Sequence, residues 1–290
     1  MTTPHVIIDP GPSGRGASYY EPALNRLRYW AFRHVLGVQF PHTPPLIRGI
    51  LVHLGLAQYY AAQGAAQRGG VIIMGGTVLT DPAVVVPWRE AMHWRARKGG
   101  AAWIKELDAA MWGMRCYFDR FEGGRMRVIA VERVIRVSLI APDGEKVPFS
   151  QRIDLEGADA RGRVRDYDHK TSGRASRSTA DSYALSLQFL ALRAIGARRP
   201  RKKYEGAWIN VISVNPRKKY ADRVVAPRAH YADTQFKGLI LEAHNRIKRH
   251  AGRDPWEYPC VCPPGYRCPA EALCTWGRAA LSNFELKEQP

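Results

Sequence analysis

No stretch of this 290-residue chain reaches the roughly 18 apolar residues that a membrane-spanning helix needs, so no membrane partner is expected. The opening residues, MTTPHVIIDPGPSGRG, show no basic segment followed by an apolar run. A secretory leader is therefore not expected, and a cytoplasmic location follows. Acidic residues are scarce, with 26 Asp and Glu against 44 Lys and Arg and a formal charge of +18. The surplus is 7 over residues 1–150 and 11 over residues 151–290, which excludes a single basic tail as its source. A basic surface spread over a folded chain suits a polyanion, with nucleic acid first among the choices. Cysteine is also scarce, yet four of the five lie in the last 31 residues. In a reducing compartment that crowding favours a metal over disulfides. No G-x-x-x-x-G-K-[ST] loop occurs, so any ATP-driven unwinding falls to a helicase or recombination partner.

Helical patterns come first along the chain. After a Gly- and Pro-rich lead-in over residues 1–18, Leu24, Leu27, Trp30 and Phe32 give an apolar stripe that predicts a helix over 20–36. A second helix is expected over 46–64, carrying His53. A third follows Pro87, interrupted at Gly99-Gly100 and stopped near Gly123-Gly124. The texture then changes to Val and Ile. Strands are expected over 126–140, 147–155, 164–169 and 205–214, with a turn at Pro142-Asp143-Gly144. A helix over 178–195, capped by Ser178 or Thr179, is apolar all round and so expected to be buried. A further helix is expected over 234–249. Helices, then a strand meander, then a helix laid on the sheet describe an α/β or α+β sandwich, with α/β the class expected here.

Acidic residues fall where these strands end. Asp168 and Lys170 stand two apart and share one strand face. Asp154 lies fourteen residues earlier, and the connection through Gly157 and Gly162 allows a neighbouring strand to bring it alongside. Two close carboxylates repel unless a cation sits between them. Hard oxygen ligands suit Mg²⁺ or Mn²⁺. Such a cation acidifies a bound water and stabilises charge on a phosphoryl oxygen, and a nearby lysine adds to that stabilisation. Taken alone, Asp168 and Lys170 also read as an ion pair at a strand end, and Asp154 as a turn residue. Asp166 shares the face of Asp168 but lacks the lysine spacing and reads as a polar strand residue.

Five stretches in order carry a more specific pattern: RGILVHLGLAQYY with Gly49 and His53, AVERVIRV with Glu132, QRIDLE with Asp154, DYDHKTS with Asp168, Lys170 and Thr171, and SLQFLAL with Gln188. Together they resemble the PD-(D/E)XK nucleases, in particular the RecB-type and CRISPR-associated RecB-like exonucleases, with a phage origin among the expectations. The resemblance covers about residues 24–192, roughly two thirds of the chain. It implies a restriction-endonuclease-like core, a mixed central sheet flanked by helices. It implies a metal held by His53, Asp154, Asp168 and the main-chain carbonyl of His169. Lys170 would position or activate the water, Gln188 would orient the site or a DNA phosphate, and Glu132 would support the metal. Gln151 stands where the family usually has Gly, and Leu192 where it has Tyr. The second departure removes a hydroxyl that would help position DNA.

Cys260, Cys262, Cys268 and Cys274, in CVCPPGYRCPAEALC, are close enough to surround one Zn²⁺ or a [4Fe–4S] cluster as a structural staple. They read equally as unliganded thiols. RecB-like nucleases with such a cluster take one ligand from an N-terminal helix, and LNRLRYWAFRHV offers no cysteine. Basic runs surround the acidic core in sequence. Arg198, Arg199, Arg201, Lys202 and Lys203 form one, and Arg217, Lys218 and Lys219 another, both candidates for DNA phosphate contacts. The expected organisation is a lead-in over 1–18, a nuclease domain over 19–255 and a Cys-rich lobe over 256–290 packed on it. The expected activity is divalent-metal-dependent hydrolysis of DNA, as an exonuclease in recombination, repair or phage DNA metabolism. The rival readings are a non-catalytic DNA-binding protein with a degenerate nuclease fold, and a metal-cluster interaction protein.

Overall fold

Pro44 and Pro45 open the longest helix, because a residue without an N–H loses nothing in the first turn. This helix and its neighbours are described by a computed structural model that covers residues 15–67, 72–74, 77–79, 85–121, 126–183, 186–197, 204–226, 232–259 and 268–287. Two short helices come first, α1 (Ala17–Asn25) and α2 (Leu27–His34). The sequence pattern had joined them into one. Pro22 inside α1 lacks the N–H that would continue the ladder, and the Arg26 N–H closes the helix on the Pro22 carbonyl. Strand β1 (Val38–Gln39) leads into the long helix α3 (Pro44–Ala66). Strands β2 (Ile72–Met74) and β3 (Thr77–Leu79), which the sequence had not suggested, precede α4 (Trp88–Gly99) and α5 (Ala101–Phe121). Gly100, at φ +80°, supplies the left-handed residue that separates α4 from α5.

The sheet strands are β4 (Arg127–Ile140), β5 (Lys146–Ala158), β6 (Val164–Ser172), β7 (Tyr204–Ser213) and β8 (Ala221–Val225). Between β6 and β7 the expected single helix is two, α6 (Arg177–Tyr183) and α7 (Leu187–Ala197). The Ser186 carbonyl accepts from the Phe189 and Leu190 N–H groups and starts α7 afresh. With β2 and β3, these strands form one seven-stranded mixed sheet in the order β3-β2-β4-β5-β6-β7-β8. Strand β2 runs parallel to β4, β5 antiparallel to β6, β6 parallel to β7 and β7 antiparallel to β8.

The chain divides into two compact units. The first takes Thr43–Ile135 and Gln151–Asp233. Its sheet is covered on both faces. Leu51 and Val52 of α3 and Met114 and Tyr117 of α5 pack with Tyr167 and Ile212 in one apolar cluster. Phe189 and Leu192 of α7 pack with Ile209 and Val211 in another. Burial on both faces fits the mostly apolar β7 sequence, YEGAWINVIS.

The second unit takes Ser13–His42, Arg136–Ser150 and Thr234–Pro290. It contains α8 (Ala232–His250) for most of its length, α9 (Glu271–Trp276) and β9 (Glu285–Leu286). Strand β9 pairs with β1, Leu286 opposite Val38, and Leu273 and Cys268 share an apolar cluster with Phe32 and Val38. Phe236 of α8 stacks edge-on against Phe149, with ring centroids 4.9 Å apart.

Leu51 is wholly buried at the centre of the first cluster. Leu51→Ala is expected to cost about 2–5 kcal/mol, read as a lowered urea midpoint with an unchanged m-value.

Candidate active site

The parallel register of β6 and β7 sets which side chains meet. Asp168 lies opposite Ile209 and Lys170 opposite Val211, both on the face covered by α7. The Lys170 ammonium is 2.7 Å from Asp168 Oδ2. It also donates to Gln188 Oε1 at 2.7 Å, while Gln188 Nε2 donates to Asp168 Oδ1. Gln188 is the second residue of α7, so that helix closes a three-membered ring of side chains. His169, between the two, turns to the face covered by α3 and α5, and its ring lies parallel to that of Tyr60.

Asp154, from β5, meets the backbone of that same residue. The His169 N–H donates to Asp154 Oδ2 at 2.7 Å. The His169 carbonyl accepts from His53 Nε2 at 2.7 Å, and His53 Nδ1 is 3.3 Å from Asp154 Oδ2. Glu132, from β4, completes the cluster. Ligand atoms of His53, Glu132 and Asp154 all lie within 4.8 Å of one another. Glu132 sits at φ +51°, the one non-glycine residue with positive φ among those described. Strained backbone of this kind concentrates at functional sites. Its carboxylate is 2.7 Å from Arg152 Nε.

Burial and mutual repulsion shape the titration of these groups. Glu132, Asp154 and Asp168 are at most 4% exposed. Burial, with the Asp154 charge, pushes Glu132 up to about 8. Burial raises Asp168 to about 6, against the pull of Lys170. Asp154 resists burial because the His53 charge holds it well below the usual carboxylate range. His53 is raised in turn: burial opposes its charge, and Asp154 outweighs burial. Lys170 is raised by Asp168 against burial. The cluster thus stores protons that a divalent cation would displace.

A polar network supports His169 from behind. Its Nδ1 lies 2.9 Å from Asn210 Nδ2, and Arg223 Nε donates to Asn210 Oδ1 at 2.7 Å. Arg223 also donates to the Tyr117 hydroxyl at 3.2 Å, which is 2.5 Å from that of Tyr60. Burial lowers His169 to about 3, so its ring is neutral at ordinary pH. Sequence reasoning missed Asn210, Arg223, Tyr117 and Arg152. The only signal for Asn210 was a polar residue inside the apolar run EGAWINVIS.

The structure therefore brings together His53, Glu132, Asp154, Asp168, the His169 backbone, Lys170 and Gln188. Asp166 stands apart, buried and accepting from the Tyr204 hydroxyl at 2.9 Å. Arg217, Lys218 and Lys219 are exposed after β7, and Lys219 pairs with Asp119 at 2.6 Å. Arg198, Arg199, Arg201, Lys202 and Lys203 lie outside the described residues, as do Cys260 and Cys262. Cys268 is buried and Cys274 half-buried, neither in a disulfide. No helix among the described residues is long and apolar enough to cross a membrane.

Two buried carboxylates from adjoining strands and an imidazole from α3 thus stand beside an Asp-x-Lys pair, a donor set that could hold a metal ion. Residues 24–275 match the family model of the PD-(D/E)XK nuclease superfamily, and the chain belongs to that superfamily, whose members are generally metal-dependent nucleases. Among solved structures, the chain is similar to SSO0001 at 11% identity, over 62% of this chain and 82% of that one, with a TM-score of 0.32. No curated protein matches it.

The donor set fits a hard or borderline divalent cation. His53 Nδ1 faces Asp154 Oδ2 at 3.3 Å, and with Glu132 these residues present an N–O–O set. Mn²⁺ titrated into the protein by calorimetry is expected to bind more tightly as pH rises toward about 8, by up to about tenfold per pH unit, because the Glu132 proton must leave. Affinity that does not change across this range would remove Glu132 from the site.

Proposed function

We propose that this chain is a divalent-metal-dependent deoxyribonuclease of the RecB type, acting as an exonuclease on DNA ends in recombination, repair or phage DNA metabolism. One observation carries the reading: donor atoms from three separate elements, α3, β4 and β5, converge within 4.8 Å, and Asp168 and Lys170 stand beside them. His53, Asp154 and Glu132 would hold the cation, with Asp168 and the His169 carbonyl available to join them. Bound there, Mg²⁺ or Mn²⁺ would supply an acidified water and charge stabilisation at the phosphoryl group.

The chain's own side chains do the rest. Lys170, charged and held by Asp168 and Gln188, places a fixed cation beside the reacting phosphate. Gln188 fixes the rotamers of both partners. Asp154 takes its orientation from the His169 N–H. The family's tyrosine is replaced by Leu192, which is buried against the sheet, so positioning of DNA falls on other groups. The exposed Arg217 and Lys218 are offered as phosphate contacts, together with Lys219 once it leaves Asp119.

Labelled single-stranded, blunt and circular DNA, incubated with Mn²⁺, tests the reading. The wild-type protein is expected to degrade the linear substrates, and Asp168→Ala and Lys170→Ala to lose at least about a hundredfold. Equal activity in all three proteins would overturn the assignment, and no activity in any of them would leave a non-catalytic DNA-binding protein. Cys260, Cys262, Cys268 and Cys274 are proposed to bind Zn²⁺ or a [4Fe–4S] cluster as a structural staple. Anaerobically purified protein that is brown, with iron and sulfide, indicates the cluster. Colourless protein with one zinc per chain indicates the ion, and protein with neither metal rejects the proposal.

A further inference from the structure

Three polar side chains stand in one row across the sheet, on the face covered by α3 and α5. In the strand register His169 of β6 lies opposite Asn210 of β7, and Asn210 lies opposite Arg223 of β8. Asn210 is wholly buried and His169 nearly so. The same face is otherwise packed by groups such as Tyr167, Ile212 and Tyr117. Polar groups placed there cost desolvation free energy unless each is paired, and apolar side chains would fill the space without that cost. What the row supplies is direction. A guanidinium can only donate, so Arg223 Nε, 2.7 Å from Asn210 Oδ1, turns the amide oxygen toward β8. The amide nitrogen then faces His169 Nδ1 at 2.9 Å and donates to it. Arg223 is itself held, its guanidinium 4.3 Å and 4.6 Å from the ring centres of Phe121 and Tyr167.

The backbone of His169 shows what is being fixed. Strand β5 pairs with β6 from Leu155–Tyr167 to Ala158–Val164, so His169 lies past the end of that ladder. In place of a strand partner, its N–H donates to Asp154 Oδ2 and its carbonyl accepts from His53 Nε2, both at 2.7 Å. On that side the peptide is held by side chains alone, and a cation entering the cluster would draw on the same side chains. We infer that Asn210 and Arg223 are positioning residues of the metal site. By locking the His169 ring they lock the peptide that orients Asp154 and His53, and so set the affinity for the cation. This role rests on the metal-dependent reading above and extends it to β7 and β8, which supply none of the donor atoms. Groups that orient a metal's ligands without touching the ion typically change its affinity by roughly 10–100-fold when removed.

The full chain is titrated with Mn²⁺ by calorimetry, and each variant's folding is checked by its urea transition. Arg223→Met and Asn210→Leu are expected to weaken Mn²⁺ binding by about tenfold or more. His169→Phe keeps a flat ring without Nδ1 and should lose as much. The paired variant, Asn210→Leu with His169→Phe, should lose no more than either alone, because both act through one contact. Arg223→Lys keeps the charge and a donor, so it is expected to fold even where the larger changes do not, and to bind between wild type and Arg223→Met. Leu107→Ala destabilises the same apolar cluster from α5 without touching the row, and is expected to bind Mn²⁺ as the wild type does. Wild-type affinity in every folded variant, or losses that add in the paired variant, overturns the positioning role and leaves the nuclease reading standing. The expected losses in a protein that cleaves no DNA overturn the nuclease reading and leave the role standing. A wild-type chain that binds no Mn²⁺ overturns both.

Discussion

Three carboxylates taken out of water at one place are the constraint on which this molecule turns. Burial favours the protonated form of Glu132, Asp154 and Asp168, and nearby positive charge opposes it, fully only at Asp154. The chain answers with one cation per acid: Arg152 on Glu132, His53 on Asp154 and Lys170 on Asp168. On the proposed function the last contact has a second character, because Lys170 would also face a substrate phosphate. Much of the architecture serves this arrangement. Helix α3 delivers His53, α7 delivers Gln188, and α5 with β7 and β8 braces His169 through Tyr117, Asn210 and Arg223.

His169 is the junction of the site, although its ring touches no acid. Its N–H holds Asp154, its carbonyl holds His53, and its imidazole is fixed from the opposite side of the sheet. His53 and the His169 carbonyl, each expected at the metal, are hydrogen-bonded to one another here. A cation entering the cluster would compete with that bond and with the proton on Glu132. Affinity is thereby coupled to acidity and to the position of a single peptide unit.

The parts of the fold most legible in the sequence were those governed by short periodicities. The two-residue spacing of Asp168 and Lys170 correctly put them on one strand face, and the Gly99-Gly100 break fell between α4 and α5. The order of His53, Glu132, Asp154, Asp168, Lys170 and Gln188 pointed to a family that the match over residues 24–275 then supplied. Where local signals were weak, the reading failed. Strands β2, β3 and β8 are only three to five residues long, too short for alternation to register. The split of α6 from α7 depends on a fresh start at the Ser186 carbonyl, which no apolar pattern records. Glu132 was the least persuasive of the acidic residues, because alone it reads as a strand residue facing solvent. Its carboxylate turns toward His53 and Asp154 from a left-handed backbone where no propensity would place a glutamate. The network behind His169 joins residues 93 and 106 positions apart in the chain, beyond the reach of any local pattern.

The alternation along β6 has a mechanical implication. Neighbouring residues serve opposite faces, Asp168 and Lys170 toward α7, Tyr167 and His169 toward α3 and α5. From Arg165 to Ser172 the strand is matched residue for residue with β7. Slipping it by one position would carry every one of these groups through the sheet, the acid into aromatic packing and the imidazole toward Gln188. The strand therefore behaves as a ratchet with a single functional tooth. Changes in chain length can be absorbed in the Asp159–Arg163 turn that precedes it, but not within it.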